Sequence, residues 1–150
     1  MIWKPHATVA AITEKNGKFL IVEENVEGEI VYNQPAGHLD PKETLIDAVI
    51  RETREETAWR FHPEALVGIY LWEQPNTDRT FLRFAFCGKC DDHHEDQTLD
   101  DGILRALWMS KEELLQSNRL RSPMVIKNID DYVAGKRLPL DTLTNVSFDK

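Results

Sequence analysis

The sequence has too few cysteines and too few long apolar stretches for several classes of protein. It contains two cysteines in 150 residues, which excludes a small fold held together by disulfide bonds. No apolar run approaches the roughly 20 residues that a membrane-spanning helix needs, and the first residues lack the apolar core of a signal peptide. We therefore expect a cytoplasmic protein with no membrane partner.

Positive charge is also scarce. Eighteen Lys and Arg residues oppose 26 Asp and Glu residues, which gives a net charge of −8, so nucleic acid is not an expected partner. A protein this acidic needs metal ions or local Arg and Lys side chains if it is to bind phosphates. The hydrophobic content of 41% is sufficient for a core. The length suits one domain over residues 1–150, expected to be a monomer with a loose tail over about 141–150.

Common sequence signatures of phosphate binding and nucleophilic catalysis are absent as well. There is no Gly-rich phosphate loop and no Gly-x-Ser-x-Gly motif. Cys87 and Cys90, followed by His93 and His94, lack the second, well-separated ligand pair that structural zinc sites use. We interpret the two cysteines as reduced thiols at the end of a strand.

The hydrophobic pattern predicts both strands and helices. Asn16-Gly17 is a hairpin signal between the first two strands. Asp40 suits the N-cap, and Pro41 the first turn, of a helix over 41–57. The predicted strands are 7–12, 19–24, 30–32, 65–72, 80–87 and 104–109, and further helices are predicted after Ser110 and over 123–134. This order is typical of an α+β fold in which helices pack on a sheet.

Three glutamates converge on one face of the helix predicted over 41–57. Glu52 and Glu56 are one turn apart, and Glu55 lies beside them. A solvated acidic face is the more common cause of such a run. Here, however, like charges repel at this spacing, and carboxylates near a helix C-terminus oppose the helix dipole. A hard divalent cation such as Mg²⁺ would offset both effects, so the spacing alone leaves a metal site and a solvated face open.

The segment over 37–59 resembles the signature of the Nudix hydrolase family. That signature is Gly-x5-Glu-x7-Arg-Glu-U-x-Glu-Glu-x-Gly-U, where U is usually aliphatic. Six of its fixed positions are matched at the correct spacing, by Gly37, Glu43, Arg51, Glu52, Glu55 and Glu56. Further similarity, over roughly residues 2–141, is to a branch of small bacterial phosphatases within this family.

The resemblance implies an α+β Nudix fold, in which a mixed sheet lies between helices and the signature forms a loop–helix–loop motif. It also implies a divalent metal ion as cofactor, either Mg²⁺ or Mn²⁺. Glu52, Glu55 and Glu56 would hold this ion, and the backbone carbonyl of Gly37 adds a ligand in many members.

Glu43 and Arg51 have an implied structural role, because in this family they form an ion pair that shapes the loop. Glu43 also suits a capping box with Asp40, and both interpretations can hold. Glu56 is our preferred base or water-orienting residue among the candidate catalytic residues Glu43, Arg51, Glu52, Glu55 and Glu56. Members vary at this step, so the alternatives in the 91–101 loop are His94, Glu95 and Asp100, and plain solvent exposure of that loop also stays open.

The implied substrate is a small phosphorylated molecule. The phosphatase branch implies release of orthophosphate from nucleoside di- and triphosphates, from hydroxymethylpyrimidine diphosphate or from thiamine diphosphate. The alternatives are another nucleoside diphosphate derivative, such as ADP-ribose or an oxidised nucleotide, and a Nudix module that binds without catalysis. The candidate pocket residues are Asn33, Gln34, His38 and Arg83. Arg83 is either a phosphate clamp or a surface residue.

Ala58 departs from the signature, which has glycine at this position. That glycine suits a left-handed turn at the end of the helix, where any other residue costs on the order of 1 kcal/mol. We therefore expect a helix end that is reshaped or slightly strained, with the metal ligands before it unaffected.

Overall fold

The computed structural model describes residues 1–147. This part of the chain contains eight strands and three α-helices. The strands are β1 (His6–Ile12), β2 (Glu14–Lys15), β3 (Lys18–Val26), β4 (Glu29–Asn33), β5 (Ala36–His38), β6 (Arg60–Glu73), β7 (Thr80–Asp91) and β8 (Ile103–Met109). The helices are α1 (Leu45–Thr57), α2 (Lys111–Ser117) and α3 (Met124–Val133), and a short 3₁₀ helix covers Leu140–Thr142.

The strands form two four-stranded sheets. The first has the order β5-β1-β7-β6, in which β1 and β7 run parallel and the other neighbours run antiparallel. In the second, β3 pairs antiparallel with β2, β4 and β8. The expected mixed sheet is therefore present, together with a second sheet that the strand pattern did not reveal.

Strand β1 contributes to the core on both of its faces, because successive side chains of a strand point in opposite directions. Val9 packs in a buried cluster with Val49 of α1. Ile12 packs in a different cluster with Ile129 of α3. The first sheet thus lies between α1 and α3, which confirms the α+β Nudix architecture expected from the resemblance.

The predicted start of the first helix is wrong. The helix begins at Leu45, and its N-cap is Thr44, whose side chain accepts a hydrogen bond from the Asp47 N–H at 3.0 Å. Asp40 instead starts a turn, in which the Glu43 N–H donates to the Asp40 carbonyl. Lys42 in that turn has a φ of 65°, and a left-handed residue cannot continue a right-handed helix. Asp40 and Thr44 both have side chains suited to an N-cap, and the helix uses Thr44.

The remaining expectations concern the chain's end, its cysteines and membranes. Leu143 packs against the cluster that contains Val9, so the tail is anchored at least to this point. Residues 148–150 of the loose tail predicted over about 141–150 lie outside the described residues. Cys87 and Cys90 are unbridged and lie in β7. Within residues 1–147, no helix is long and apolar enough to cross a membrane.

Candidate active site

Three carboxylates meet beside the C-terminal half of α1. Oxygen atoms of Glu52, Glu55 and Asp100 all lie within 4.8 Å of one another. Helical periodicity brings the two glutamates together, since they are three residues apart on α1. Asp100 comes from the loop between β7 and β8, which makes the cluster a tertiary feature.

The loop reaches α1 because it satisfies the end of that helix. The Asp100 N–H donates to the carbonyl of Glu55 at 3.1 Å, and the Gln97 side-chain amide donates to the carbonyl of Arg54 at 2.6 Å. Carbonyls in the last turn of a helix have no partner within the helix. Capping them fixes the loop and holds Asp100 next to the glutamates, so this acidic loop does more than contact solvent.

Ala58 ends α1 in the left-handed conformation expected of the signature's glycine. Its φ and ψ are 65° and 8°, and its N–H donates to the Arg54 carbonyl at 2.9 Å. The N–H of His94 donates in turn to the Ala58 carbonyl at 3.0 Å. The substitution has therefore left the turn in place, and the loop that carries Asp100 holds it from outside.

Arg51 connects the loop before α1 with the carboxylates on it. Its Nε and Nη2 donate to the two carboxylate oxygens of Glu43, at 2.6 and 2.9 Å. Its Nη1 lies 3.1 Å from Glu52 Oε2 and donates to Glu55 Oε1 at 3.0 Å. The expected ion pair with Glu43 is thus present. The Arg51 guanidinium holds the pKa of Glu43 below its usual value.

Glu56 differs from the other two glutamates in its surroundings. Its Oε1 accepts a hydrogen bond from the Ala36 N–H at 3.0 Å, and it stands outside the triplet of Glu52, Glu55 and Asp100. Burial raises the pKa of Glu56 to about 9 and that of Glu52 to about 7. Without a cation, both carboxyl groups therefore favour the protonated form more than a solvated glutamate does.

The residues at this site fit a divalent metal ion. All the donors are carboxylate oxygens, the type that hard divalent cations prefer. Burial of two acids is unfavourable for their charged forms unless a cation compensates. Gly37 adds a steric feature, because a β-carbon at this position would overlap the carboxyl group of Glu52. The family cofactor would thus be held by Glu52, Glu55 and Asp100. Glu56 and Gly37 line the same cavity as Glu52 and Asp100.

Arg83 is buried, and its charge faces amide groups. Only 4% of the residue is exposed. Its Nη1 donates to Gln34 Oε1 and Asn128 Oδ1 at 3.1 and 2.9 Å, and its Nη2 donates to Asn33 Oδ1 at 3.1 Å. Burial lowers its pKa to about 10, so the guanidinium stays charged at neutral pH. Asn33 and Gln34, predicted to contact substrate, direct their side-chain oxygens to Arg83.

A cavity of about 310 Å³ connects Arg83 with the carboxylates. Glu52, Glu56 and Asp100 line it, together with Arg83 and Arg121. Aromatic side chains form another part of the wall, where Trp72 stacks on Phe81 with ring centres 5.9 Å apart. His38 lines the same cavity, and its side chain is exposed.

Two residues at this site were missed by the sequence interpretation. Arg121 reaches the cavity from the segment before α3, and its Nη1 donates to Glu24 Oε1 at 3.1 Å. Asn128 lies on α3 and is fully buried. A signal for Asn128 exists, because it interrupts an apolar stripe that contains Val125 and Ile129. Arg121 carries no comparable signal, since an arginine in a loop is ordinary.

Comparison with known proteins agrees with this geometry. The sequence model of the NUDIX domain matches residues 3–128. Phosphatase NudJ of Escherichia coli K12 is 42% identical over 143 residues, which cover 95% of this chain and 92% of NudJ. A NUDIX hydrolase from Nitrosomonas europaea superposes with a TM-score of 0.93 at 47% identity, over 95% of this chain and 98% of that one.

A more distant relative shares only the fold. The NUDIX domain of Shewanella oneidensis NrtR, solved in complex with ADP ribose, has a TM-score of 0.70 and 16% identity, over 89% of this chain and 90% of that one. The family match covers most of the chain, and the close relatives cover nearly all of it. This chain therefore belongs to the NUDIX family and is a hydrolase.

Proposed function

We propose that this protein is a Mg²⁺-dependent phosphatase that hydrolyses phosphoanhydride bonds in small substrates and releases orthophosphate. The proposed substrates are nucleoside di- and triphosphates, hydroxymethylpyrimidine diphosphate and thiamine diphosphate. One observation carries the proposal: a single cavity is lined by a cluster of carboxylates and by two arginines. A polyphosphate chain needs both, since its oxygens bind cations and guanidinium groups.

The size of the cavity supports a small substrate. Its volume of about 310 Å³ is at the lower end of the roughly 300–1,000 Å³ typical of ligand pockets. The stacked pair of Trp72 and Phe81 gives the cavity an aromatic surface, which suits a nucleobase or a pyrimidine ring. The 42% identity to a protein named as a phosphatase supports orthophosphate as the product.

The charges in the cavity suggest separate roles in hydrolysis for the metal ion and for the carboxylates. When bound, Mg²⁺ would neutralise charge on the phosphate oxygens and lower the pKa of the attacking water. Glu52, Glu55 and Asp100 would hold the ion. Glu56 would accept the proton from water, because its carboxylate lines the same cavity as Glu52 and Asp100.

The two arginines would act on the substrate itself. Arg83 and Arg121 line the cavity, and a guanidinium can donate two parallel hydrogen bonds to a phosphate. These contacts would orient the substrate and stabilise the negative charge that develops on phosphate oxygens during hydrolysis. Arg51 is occupied by Glu43, Glu52 and Glu55, so its proposed role is to orient the carboxylates.

Two alternatives remain as competing proposals. A pyrophosphohydrolase of ADP-ribose or of oxidised nucleotides would use the same carboxylates, and the related NrtR domain was solved with ADP ribose. A module that binds without catalysis would have no need of the charged residues of the signature. The presence of Glu52, Glu55 and Glu56 favours a catalytic protein. The monomeric state and the cytoplasmic location stay predictions.

A substrate panel tests the proposed function. The full-length protein is incubated with each proposed substrate and with ADP-ribose, with Mg²⁺ or with EDTA, and orthophosphate and pyrophosphate are measured separately. We expect orthophosphate from the small substrates in Mg²⁺ and none in EDTA. Pyrophosphate together with a nucleoside monophosphate would favour the pyrophosphohydrolase. Tight binding of the panel without any turnover would favour the binding module.

A further inference from the structure

The guanidinium of Arg83 is held by neutral partners alone. Its three hydrogen bonds go to the amide oxygens of Asn33, Gln34 and Asn128. Among residues 1–147, no carboxylate oxygen lies within 4.0 Å of its nitrogens. In contrast, Arg121 in the same cavity wall has a carboxylate partner, Glu24. Buried charges usually have an ionic partner, so this arrangement needs an explanation.

The three amides leave part of the guanidinium unused. A guanidinium has five N–H donors, and the amides accept from two on Nη1 and one on Nη2. Nε is buried and has no partner among the described residues. The Nε–H and one Nη2–H therefore remain, on nitrogens that share one edge of the planar group. Leaving such donors unpaired is unfavourable unless a ligand accepts from them.

Helix α3 fixes this arrangement. Asn128 is fully buried and contributes the shortest of the three bonds, at 2.9 Å. Gln34 depends on the same helix, because its Nε2 donates to the Val125 carbonyl at 2.8 Å. Acidic charge on α3 is neutralised elsewhere, since the carboxylate of Asp131 pairs with Lys127 and Lys136. The helix thus presents a neutral amide to Arg83.

We infer that Asn128 is a positioning residue whose neutral amide keeps the charge of Arg83 available to an anion in the cavity. This inference rests on the proposed function, because it assigns a phosphate group of the substrate to the part of Arg83 that lines the cavity. An aspartate in place of Asn128 has nearly the same shape but would form an ion pair with Arg83. The pair would cancel the charge that the phosphate needs, even though the hydrogen bond itself would persist.

The experiment compares Asn128→Asp with wild type in two measurements. The first is the affinity for inorganic pyrophosphate without divalent cations, by calorimetry. The second is kcat and KM for the best substrate of the panel. We expect Asn128→Asp to weaken pyrophosphate binding and to raise KM by about tenfold or more, the scale of losing a charged hydrogen-bonded contact, with a smaller change in kcat. The new ion pair should leave the melting temperature at or above that of wild type.

Two controls separate this role from a merely structural one. Asn25→Asp adds the same charge at an exposed residue of β3, whose side-chain oxygen accepts from the Gly28 N–H, and should change neither affinity nor KM. In an Arg83→Gln background, Asn128→Asp should cause no further loss, because its effect acts through Arg83. If Asn128→Asp fails to fold, Asn33→Asp introduces a carboxylate opposite Nη2 and is expected to have the same effect.

The outcomes are distinct. Unchanged pyrophosphate affinity and unchanged KM in a folded Asn128→Asp protein would overturn the inference, as would an equal loss in the Arg83→Gln background. The proposed function would fail separately, if the wild-type protein hydrolysed none of the substrates in the panel. In that case the expected loss of pyrophosphate affinity in Asn128→Asp would still support the role of Asn128.

Discussion

The carboxyl group of Glu52 occupies the space in which a side chain on residue 37 would begin. A β-carbon built on Gly37 overlaps the terminal atoms of Glu52, although Gly37 does not have the positive φ that would demand glycine for conformational reasons. The glycine is therefore required for space alone. It allows a strand at the sheet edge, β5, to approach a carboxylate on α1.

We expect Gly37→Ala to fold and to lose metal affinity. The displaced atoms are the flexible end of a side chain, so Glu52 can rotate away at little cost to the fold, but it then leaves the cluster with Glu55 and Asp100. Binding of Mn²⁺, measured by calorimetry or by its paramagnetic signal, should weaken by about tenfold or more, as for lost metal-site contacts. Wild-type Mn²⁺ affinity in this variant would contradict the steric role of Gly37.

The glutamates of α1 should be essential for turnover and dispensable for folding. Glu52→Gln and Glu56→Gln keep the shape of each side chain and remove its charge. We expect each to lower kcat by at least about 100-fold, the scale of losing one preorganised electrostatic group. Glu112→Gln, an exposed residue of α2, is the matched control and should retain full activity. Wild-type turnover of both active-site variants in excess Mg²⁺ would refute the assignment.

Much of the site could be predicted because it lies on one helix and its flanking loop. Helical spacing brings Glu52 and Glu55 together, and the resemblance to the family signature, rather than the spacing alone, indicated them as metal ligands. The place of Asp100 in the cluster could not be derived, because it depends on a loop that caps α1 through tertiary hydrogen bonds. Asn128 was missed for the same reason, since its partner Arg83 is 45 residues away in the chain.

Prediction of the fold from the sequence was limited in the same way. Hydrophobic patterns located most strands and helices, but the start of α1 was misplaced because two capping sequences lie four residues apart, at Asp40 and Thr44. Local propensity does not show which of two neighbouring N-cap candidates is used. In the folded chain Thr44 is used, because it accepts a hydrogen bond from the Asp47 N–H and because the left-handed Lys42 interrupts any helix that starts at Asp40. Strand β5 was also missed, since three residues after a proline carry too little pattern to identify.

The metal-free protein should become less stable as pH rises. Burial raises the pKa of Glu52 to about 7 and that of Glu56 to about 9, from a usual value of 4.5. Above pH 4.5 the unfolded chain releases these protons more readily than the folded one, so the free energy of unfolding falls as pH rises. The decrease due to Glu52 extends to about pH 7, and the decrease due to Glu56 extends to about pH 9. A divalent cation binds the ionised carboxylates, and its stabilising effect should therefore grow over the same range.

Glu56→Gln isolates the contribution of Glu56 to the pH dependence of stability, which is expected to be larger than that of Glu52. The amide oxygen can still accept from the Ala36 N–H, but the group no longer titrates. In EDTA, the melting temperature of this variant should fall less steeply between about pH 5 and 9 than that of wild type, and the variant should be the more stable protein at the alkaline end. Equal slopes for the two proteins would show that Glu56 ionises normally in the metal-free fold.

The left-handed end of α1 makes a prediction about stability that is independent of the chemistry. Ala58 has a φ of 65°, a conformation that costs about 1–2 kcal/mol for a residue with a β-carbon. Ala58→Gly removes that strain but also loses one buried methyl group, worth about 0.8 kcal/mol. Ala134 is the matched control, because it ends α3 with a right-handed φ of −70°; glycine there brings only the entropic loss of about 0.5–1 kcal/mol. In urea unfolding, Ala58→Gly should thus be the more stable of the two by on the order of 1 kcal/mol. If both variants lose the same stability, the loop that donates to the Ala58 carbonyl, rather than residue type, determines this helix end.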